Sequence, residues 1–256
     1  MTLESDHGAA LVVALLAMLL MSALGVAIVL ITMSETLIAG RFSHTHEALD
    51  AADAAVERAA GDLLTVPDWN PLLDGSVRSG FVDGAPDGTR TTDAGTVVNL
   101  SAIRNVANCG HPASCTAAEM DASTAERPWG TNNPRWQLYA YGPLEDLLPT
   151  PDIESPFYVV VMIGDDPAET DGDPLHDGIG SRNPGAGVIA LRAEAFGPRG
   201  VHQVVEMTVA RVGVLERVAD AALSDEQNHH ASAAPVQGQG QGLTLQRLPL
   251  ASGGLR

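Results

Sequence analysis

The chain contains no lysine: its 14 basic residues are all arginine, set against 32 acids, for a formal net charge of −18 over 256 residues. A surface that binds DNA or RNA must neutralise phosphates with a basic patch, so this balance argues against nucleic acid as a partner. Aromatic residues make up only 4% of the chain, too few to suggest a stacked carbohydrate site. Catalytic motifs are lacking too. There is no G-x-S-x-G elbow, no P-loop and no H-E-x-x-H, since His46-Glu47-Ala48-Leu49-Asp50 ends in aspartate where a zinc protease needs histidine. The glycines from Gly238 to Gly242 open no helical pattern, so they are no dinucleotide loop. Carboxylates are plentiful, but without an aromatic-lined cleft they carry no glycosidase signal. These absences point away from an enzyme and leave no cofactor expected beyond a bound cation.

Cysteine is also scarce. Cys109 and Cys115 are the only two, six positions apart in CGHPASC. On an exported domain the pair reads as a disulfide pinning a short Gly/Pro loop. A reduced cytoplasmic pair and a zinc site completed by His111 are the alternatives. The zinc site would crowd three ligands into one loop with no second cluster.

What the chain does have is a long apolar run, Gly8 to Met33, bounded by His7 and Glu35. Its roughly 26 uncharged residues would span about 39 Å as a helix, enough to cross a bilayer core. It is too long for a signal-peptide core and is followed by no small-residue cleavage site. No proline occurs from Glu35 to Leu64, and Pro67 is the first hard breaker. Leu49, Ala52, Val56, Ala59 and Leu63 recur at three- and four-residue steps, with Asp50, Asp53, Glu57, Arg58 and Asp62 on the other faces. One helix from about Ala9 to Leu64 is therefore expected, apolar all round in its first half and amphipathic in its second. Gly25 and Gly40 are its weak points.

Residues 67 to 127 read as loop, rich in Asp-Gly and Pro turns, with Thr96–Ile103 as a short strand. Strand signals follow at Trp136, Phe157, Gly187 and Val201, the last two joined as a hairpin through Phe196-Gly197-Pro198-Arg199-Gly200. A small antiparallel sheet laid on the alanine-rich helix face is the simplest way to bury both. The fold class is thus α+β. Its divisions are a leader at 1–8, a membrane span at 9–33, an amphipathic continuation at 34–66, a β domain with loops at 67–216, and a low-complexity, disordered tail at 217–256.

One loop, IGDDPAETDGDPLHDG, concentrates Asp165, Asp166, Glu169, Asp171, Asp173 and Asp177 between two strands. Asp171, Asp173 and Asp177 stand at relative positions 1, 3 and 7 of a calcium loop. Leu175 at position 5 and Arg182 at position 12 depart from an EF-hand, so the loop reads either as a solvated acidic segment or as a calcium site.

The leader ending in Gly8, the run AALVVALLAMLL, Glu35-Thr-Leu-Ile-Ala-Gly40 and the alanine-rich EALDAADAAVERA around Asp53 together resemble the N-terminal module of type IV pilin-like proteins. The resemblance is specifically to PilX-type minor pilins. It covers about residues 8 to 60, and AEAFGPRG with the valine-rich strand after it is similar to their C-terminal regions. The resemblance implies a pilin-like fold and cleavage after Gly8 by a prepilin peptidase. It also implies methylation of Ala9, packing of the helix with those of other pilins and minor pilins, and a role in pilus assembly or adhesion. It places the protein in the bacterial inner membrane, with the C-terminal domain in the periplasm and later on the pilus. Two departures stand out: His7 precedes the glycine where leaders carry Lys or Arg, and Val13 occupies the fifth mature position where major pilins carry glutamate. The missing carboxylate favours a minor or initiating subunit over a bulk one. A tip pseudopilin of a type II secretion machine and a signal-anchored periplasmic scaffold are the competing assignments.

Overall fold

The computed structural model describes residues 6–92, 95–147, 154–177, 187–211 and 243–246. The chain divides into two compact units, Met1–His46 and Glu47–Arg256. The first unit is helical. It belongs to α1, Asp6–Leu63, the long helix that the apolar periodicity predicts. Every large apolar side chain from Leu11 to Phe42 is more than half exposed, Met21 reaching 75%. Several of its hydroxyls bond back within the helix: Ser22 donates to the Met18 carbonyl at 2.8 Å, Thr32 to Ile28 at 3.0 Å and Thr36 to Thr32 at 2.9 Å. Such back-bonding lets Ser and Thr sit in an apolar helix with the hydroxyl proton paired.

The second unit is α+β. Its centre is a five-stranded antiparallel sheet in the order β3 (Gln137–Pro143), β4 (Tyr158–Asp165), β5 (Val188–Phe196), β6 (His202–Arg211) and β7 (Leu243–Gln246). The first four are the four strands expected from sequence. The fifth falls inside the segment expected to be a disordered tail; the rest of that segment lies outside the described residues. The β5–β6 link turns through Arg199 at φ 59° and Gly200 at φ 75°, closed by Gly197 N–H donating to the Val201 carbonyl at 2.9 Å.

One face of the sheet carries the last turns of α1. Ala48, Ala51, Ala52, Ala55, Ala59 and Ala60, none more than 3% exposed, pack with Val56 and Leu63 against Val159, Val161, Ile163, Ile189, Leu191, Ala193, Ala195, Met207 and Val209. The buried stripe is the expected one, shifted at its start: Ala48 is buried and Leu49 only partly so. A register shift between Leu138 and Ala140 turns both Tyr139 and Ala140 toward this layer, as a bulge does.

All eight residues of β4 are buried, so the sheet must be covered on its other face as well. Tyr158, Val160 and Met162 alternate to that second face. There they meet Val98, Leu100, Trp136, Leu138 and Tyr141, with Ile103 and Ala107 packed beside them. The cover comes from the segment expected to be loop. It contains α2 (Asn70–Leu73), the hairpin β1 (Thr89–Thr91) with β2 (Val97–Asn99), α3 (Leu100–Cys109) and α4 (Ala117–Met120). The predicted strand at Thr96–Ile103 is therefore corrected: it stops at Asn99, whose side chain caps α3 by accepting from the Ala102 N–H at 2.9 Å. Asn108, on the last turn of α3, pairs with Trp136 as a peptide group would, accepting from its N–H at 2.8 Å and donating to its carbonyl at 3.0 Å. Residues 79–83 run along the outer edge of β3, with Ser79 N–H on the Tyr139 carbonyl at 3.0 Å, Asp83 N–H on that of Tyr141 at 2.8 Å, and Tyr141 N–H on that of Phe81 at 3.2 Å.

Charge enters the second face at Glu194 on β5, which is 4% exposed. Both its oxygens are engaged, by Arg192 Nε at 2.8 Å and His202 Nε2 at 2.8 Å, while Arg192 also reaches Glu206 at 2.6 Å. Burial alone would raise the Glu194 pKa; the His202 hydrogen bond and the Arg192 charge outweigh it and hold the carboxyl below its ordinary 4.5. The stabilisation from this depressed pKa is complete above about pH 4.5 and is lost as pH falls through the lower folded-state value. Urea midpoints measured from pH 7 down to pH 3 should fall more steeply for the natural protein than for Glu194→Gln. At pH 7 the variant should be less stable by about 1.5–3 kcal/mol, the range for hydrogen bonds to a charged group. Parallel pH curves would rule this role out.

Candidate functional site

Two surfaces stand out among the described residues, and they are built from opposite chemistry. The first is the exposed apolar part of α1, a helix long and apolar enough to cross a membrane. The residues singled out for processing and helix packing lie along α1. Gly8 and Ala9 are in its first turns, Val13 is 65% exposed, Glu35 is exposed, Gly40 has open space around its Cα, and Asp53 is partly buried.

The second surface is acidic and gathers where β4 ends. Asp165 is the last residue of β4, opposite Ile189 of β5. By alternation it shares a face with Val159, Val161 and Ile163, so a carboxylate continues an apolar row. It is 3% exposed, and its Oδ1 has no hydrogen-bond partner among the described residues. Glu169 and Asp171 come back over it: one carboxylate oxygen from each of the three lies within 4.8 Å of the others. Burial, and then the negative charges of Glu169, Asp177 and Asp171, push the Asp165 carboxyl up to about 8 against the Asp166 N–H.

Hydrogen bonds hold the loop over this point. Asp166 Oδ1 accepts from Ala168 N–H at 3.1 Å, Asp171 Oδ1 from Asp173 N–H at 3.0 Å, and Gly172, at φ 74°, donates its N–H to Asn132 Oδ1 at 2.7 Å. The grouping differs from the spaced trio Asp171, Asp173 and Asp177 read from sequence, of which only Asp171 joins the cluster. Asp173 is drawn to His176, Oδ1 to Nδ1 at 2.9 Å. Asp177 turns inward, its N–H bonded to Asn70 Oδ1 at 2.9 Å and its own Oδ1 accepting from Gly187 N–H at 2.7 Å. Burial raises the Asp177 carboxyl to about 6 despite the Gly187 bond and the nearby charge of Arg211. That arginine sits 4.1 Å from the Trp69 ring centre and donates to the Pro67 carbonyl at 2.6 Å. Arg182 lies outside the described residues. Spacing within the loop could not reveal Asp165 as a member; the period-two alternation of its strand could, because it sets an acid in a core position.

Cys109 and Cys115 form a disulfide, with Cα atoms 6.0 Å apart, at the end of α3. Gly110, at φ 80°, closes that helix by donating its N–H to the Val106 carbonyl at 2.8 Å. Sulfurs bonded to each other cannot act as thiolate ligands, so the bond replaces the zinc alternative. His111 Nε2 lies 3.4 Å from Glu119 Oε1 and 3.5 Å from Cys109 Sγ. No protein-family model, curated protein or solved structure matches the chain.

Proposed function

We propose that the protein is a membrane-anchored, pilin-like filament subunit of the PilX-type minor class, acting in pilus assembly through its interfaces. One observation carries this reading: a single helix, α1, supplies both a membrane-length apolar segment and, in its last turns, the alanine-lined layer under an antiparallel sheet. A helix apolar on every side is stable only in lipid or among similar helices. Other pilin subunits and the inner membrane are the partners this implies, with the disulfide-bearing domain on the oxidising, periplasmic side. Gly8-Ala9 is then the site of cleavage by a prepilin peptidase and of N-terminal methylation. Val13, an apolar residue at the fifth mature position, favours a minor or tip location; the same residue fits a tip pseudopilin of a type II secretion machine.

Intact mass and N-terminal sequencing of the membrane-extracted protein, made with and without a prepilin peptidase, test the reading. The expected product in the peptidase strain begins at Ala9, and without the enzyme Met1 to Gly8 stay attached. Retention of the leader in both strains would leave a plain signal-anchored scaffold. If the chain is cut, co-purification with pili or with a secretion pseudopilus separates the two machines.

A further inference from the structure

We propose that Asp165, Glu169 and Asp171 form a binding site for a hard divalent cation, calcium in preference to magnesium, where β4 meets the loop that follows it. The argument begins with the buried member. Acids crowded on a surface are ordinarily solvated, and a cluster alone says little. Asp165 is different: it is 3% exposed, its Oδ1 has no hydrogen-bond partner among the described residues, and it lies beneath two further carboxylates. A buried carboxylate with one oxygen unpaired and no opposite charge beside it is costly unless a proton or a cation neutralises it. The side-chain charges acting on it from the described residues, those of Glu169, Asp177 and Asp171, all have its own sign. The charge of Arg211 acts on Asp177.

The donor set selects the kind of ion. Three carboxylates with neither thiolate nor imidazole suit a hard cation, and backbone carbonyls and water can fill the remaining positions. One carboxylate oxygen from each residue lies within 4.8 Å of the others, close enough for all three to share one ion. Calcium accepts such an irregular oxygen set in flexible geometry, whereas magnesium demands a near-ideal octahedron and dehydrates reluctantly. The loop is held in place from outside by Asn132 on Gly172 and by Asn70 on Asp177, so little reordering accompanies binding. A bound ion would clamp the residues after β4 onto the end of the sheet. This site is independent of the membrane and filament assignment.

The test uses the full-length protein in detergent, stripped with chelator and then titrated with calcium chloride or magnesium chloride while the thermal midpoint is followed. With three carboxylates the affinity belongs with the sub-millimolar to millimolar calcium modules, so about 10 mM calcium should raise the midpoint by about 3–10 °C and saturate. Asp171→Asn and Glu169→Gln, each altering one loop carboxylate, should keep the chelator-treated midpoint and lose the calcium response. Asp165→Asn should lose the response and raise the chelator-treated midpoint, because it removes a carboxyl that folding must otherwise protonate or bury charged. No saturable shift in the natural protein would overturn the site and leave Asp165 as a protonated core acid. An undiminished shift in both loop variants would also overturn it, placing the effect on the general acidic surface. An equal response to magnesium would overturn the preference for calcium.

Discussion

Arginine introduced together at Leu16, Leu20 and Leu24 should abolish retention of the protein in carbonate-washed membranes. These positions recur every four residues along α1, and each leucine is more than half exposed. At the centre of a membrane helix leucine is favourable by a few tenths of a kcal/mol and arginine unfavourable by about 3 kcal/mol, so three exchanges oppose insertion by roughly 9–12 kcal/mol. Snorkelling relieves part of that near the helix ends but least at mid-span. The hydroxyls of Ser22 and Thr32 are already bonded to helix carbonyls, so the helix carries little other polar burden. A matched variant with isoleucine at the same three positions should stay in the membrane pellet. Carbonate-resistant retention of the arginine variant would show that α1 is not the anchor.

Leucine at both Ala52 and Ala55 has the largest expected effect on the folded unit. Both alanines are fully buried between α1 and the sheet, beside Val56 and the β4 row Val159, Val161 and Ile163. Each added branched side chain must push the helix off the sheet or force its neighbours from their rotamers, at about 1–3 kcal/mol apiece. Together they remove about 2–6 kcal/mol from a domain whose whole stability is on the order of 5–15 kcal/mol. Urea denaturation in detergent should show the midpoint collapse, while Asp50→Leu on the exposed side of the same helix leaves it nearly unchanged. A double variant as stable as the parent would mean that the seam has slack.

Much of this architecture is legible in the chain before any coordinates. The long helix follows from an uncharged run that passes into a three- and four-residue repeat without a proline. The strands follow from β-branched residues in alternation, and the hairpin from Gly197-Pro198-Arg199-Gly200. The second layer is not legible in the same way. Asp-Gly and proline turns dominate residues 67 to 99, and their density hides a helix bounded by a capping asparagine, Asn99, and a closing glycine, Gly110. Both punctuation marks are in the sequence, yet the helix between them has a weak apolar stripe, Leu100, Ile103 and Ala107. The fully buried β4 is the stronger clue, since a strand with no polar alternation requires cover on both faces. The acidic site was half legible: the loop announces itself by composition. Its arrangement depends on which carboxylates the turns at Asp166 and Asp171 bring over Asp165, and linear spacing does not encode that.

Residues 79–83 and the Asn108 side chain occupy the hydrogen-bonding groups along the outer side of β3 and of Trp136 just before it. An open strand edge is a template on which a second chain can lay down another strand, the usual first step toward aggregation. Here that template is already spoken for by the protein's own backbone and by one amide side chain. Copies crowded side by side therefore meet a β3 edge whose middle is already paired, which obstructs zipping through that strand.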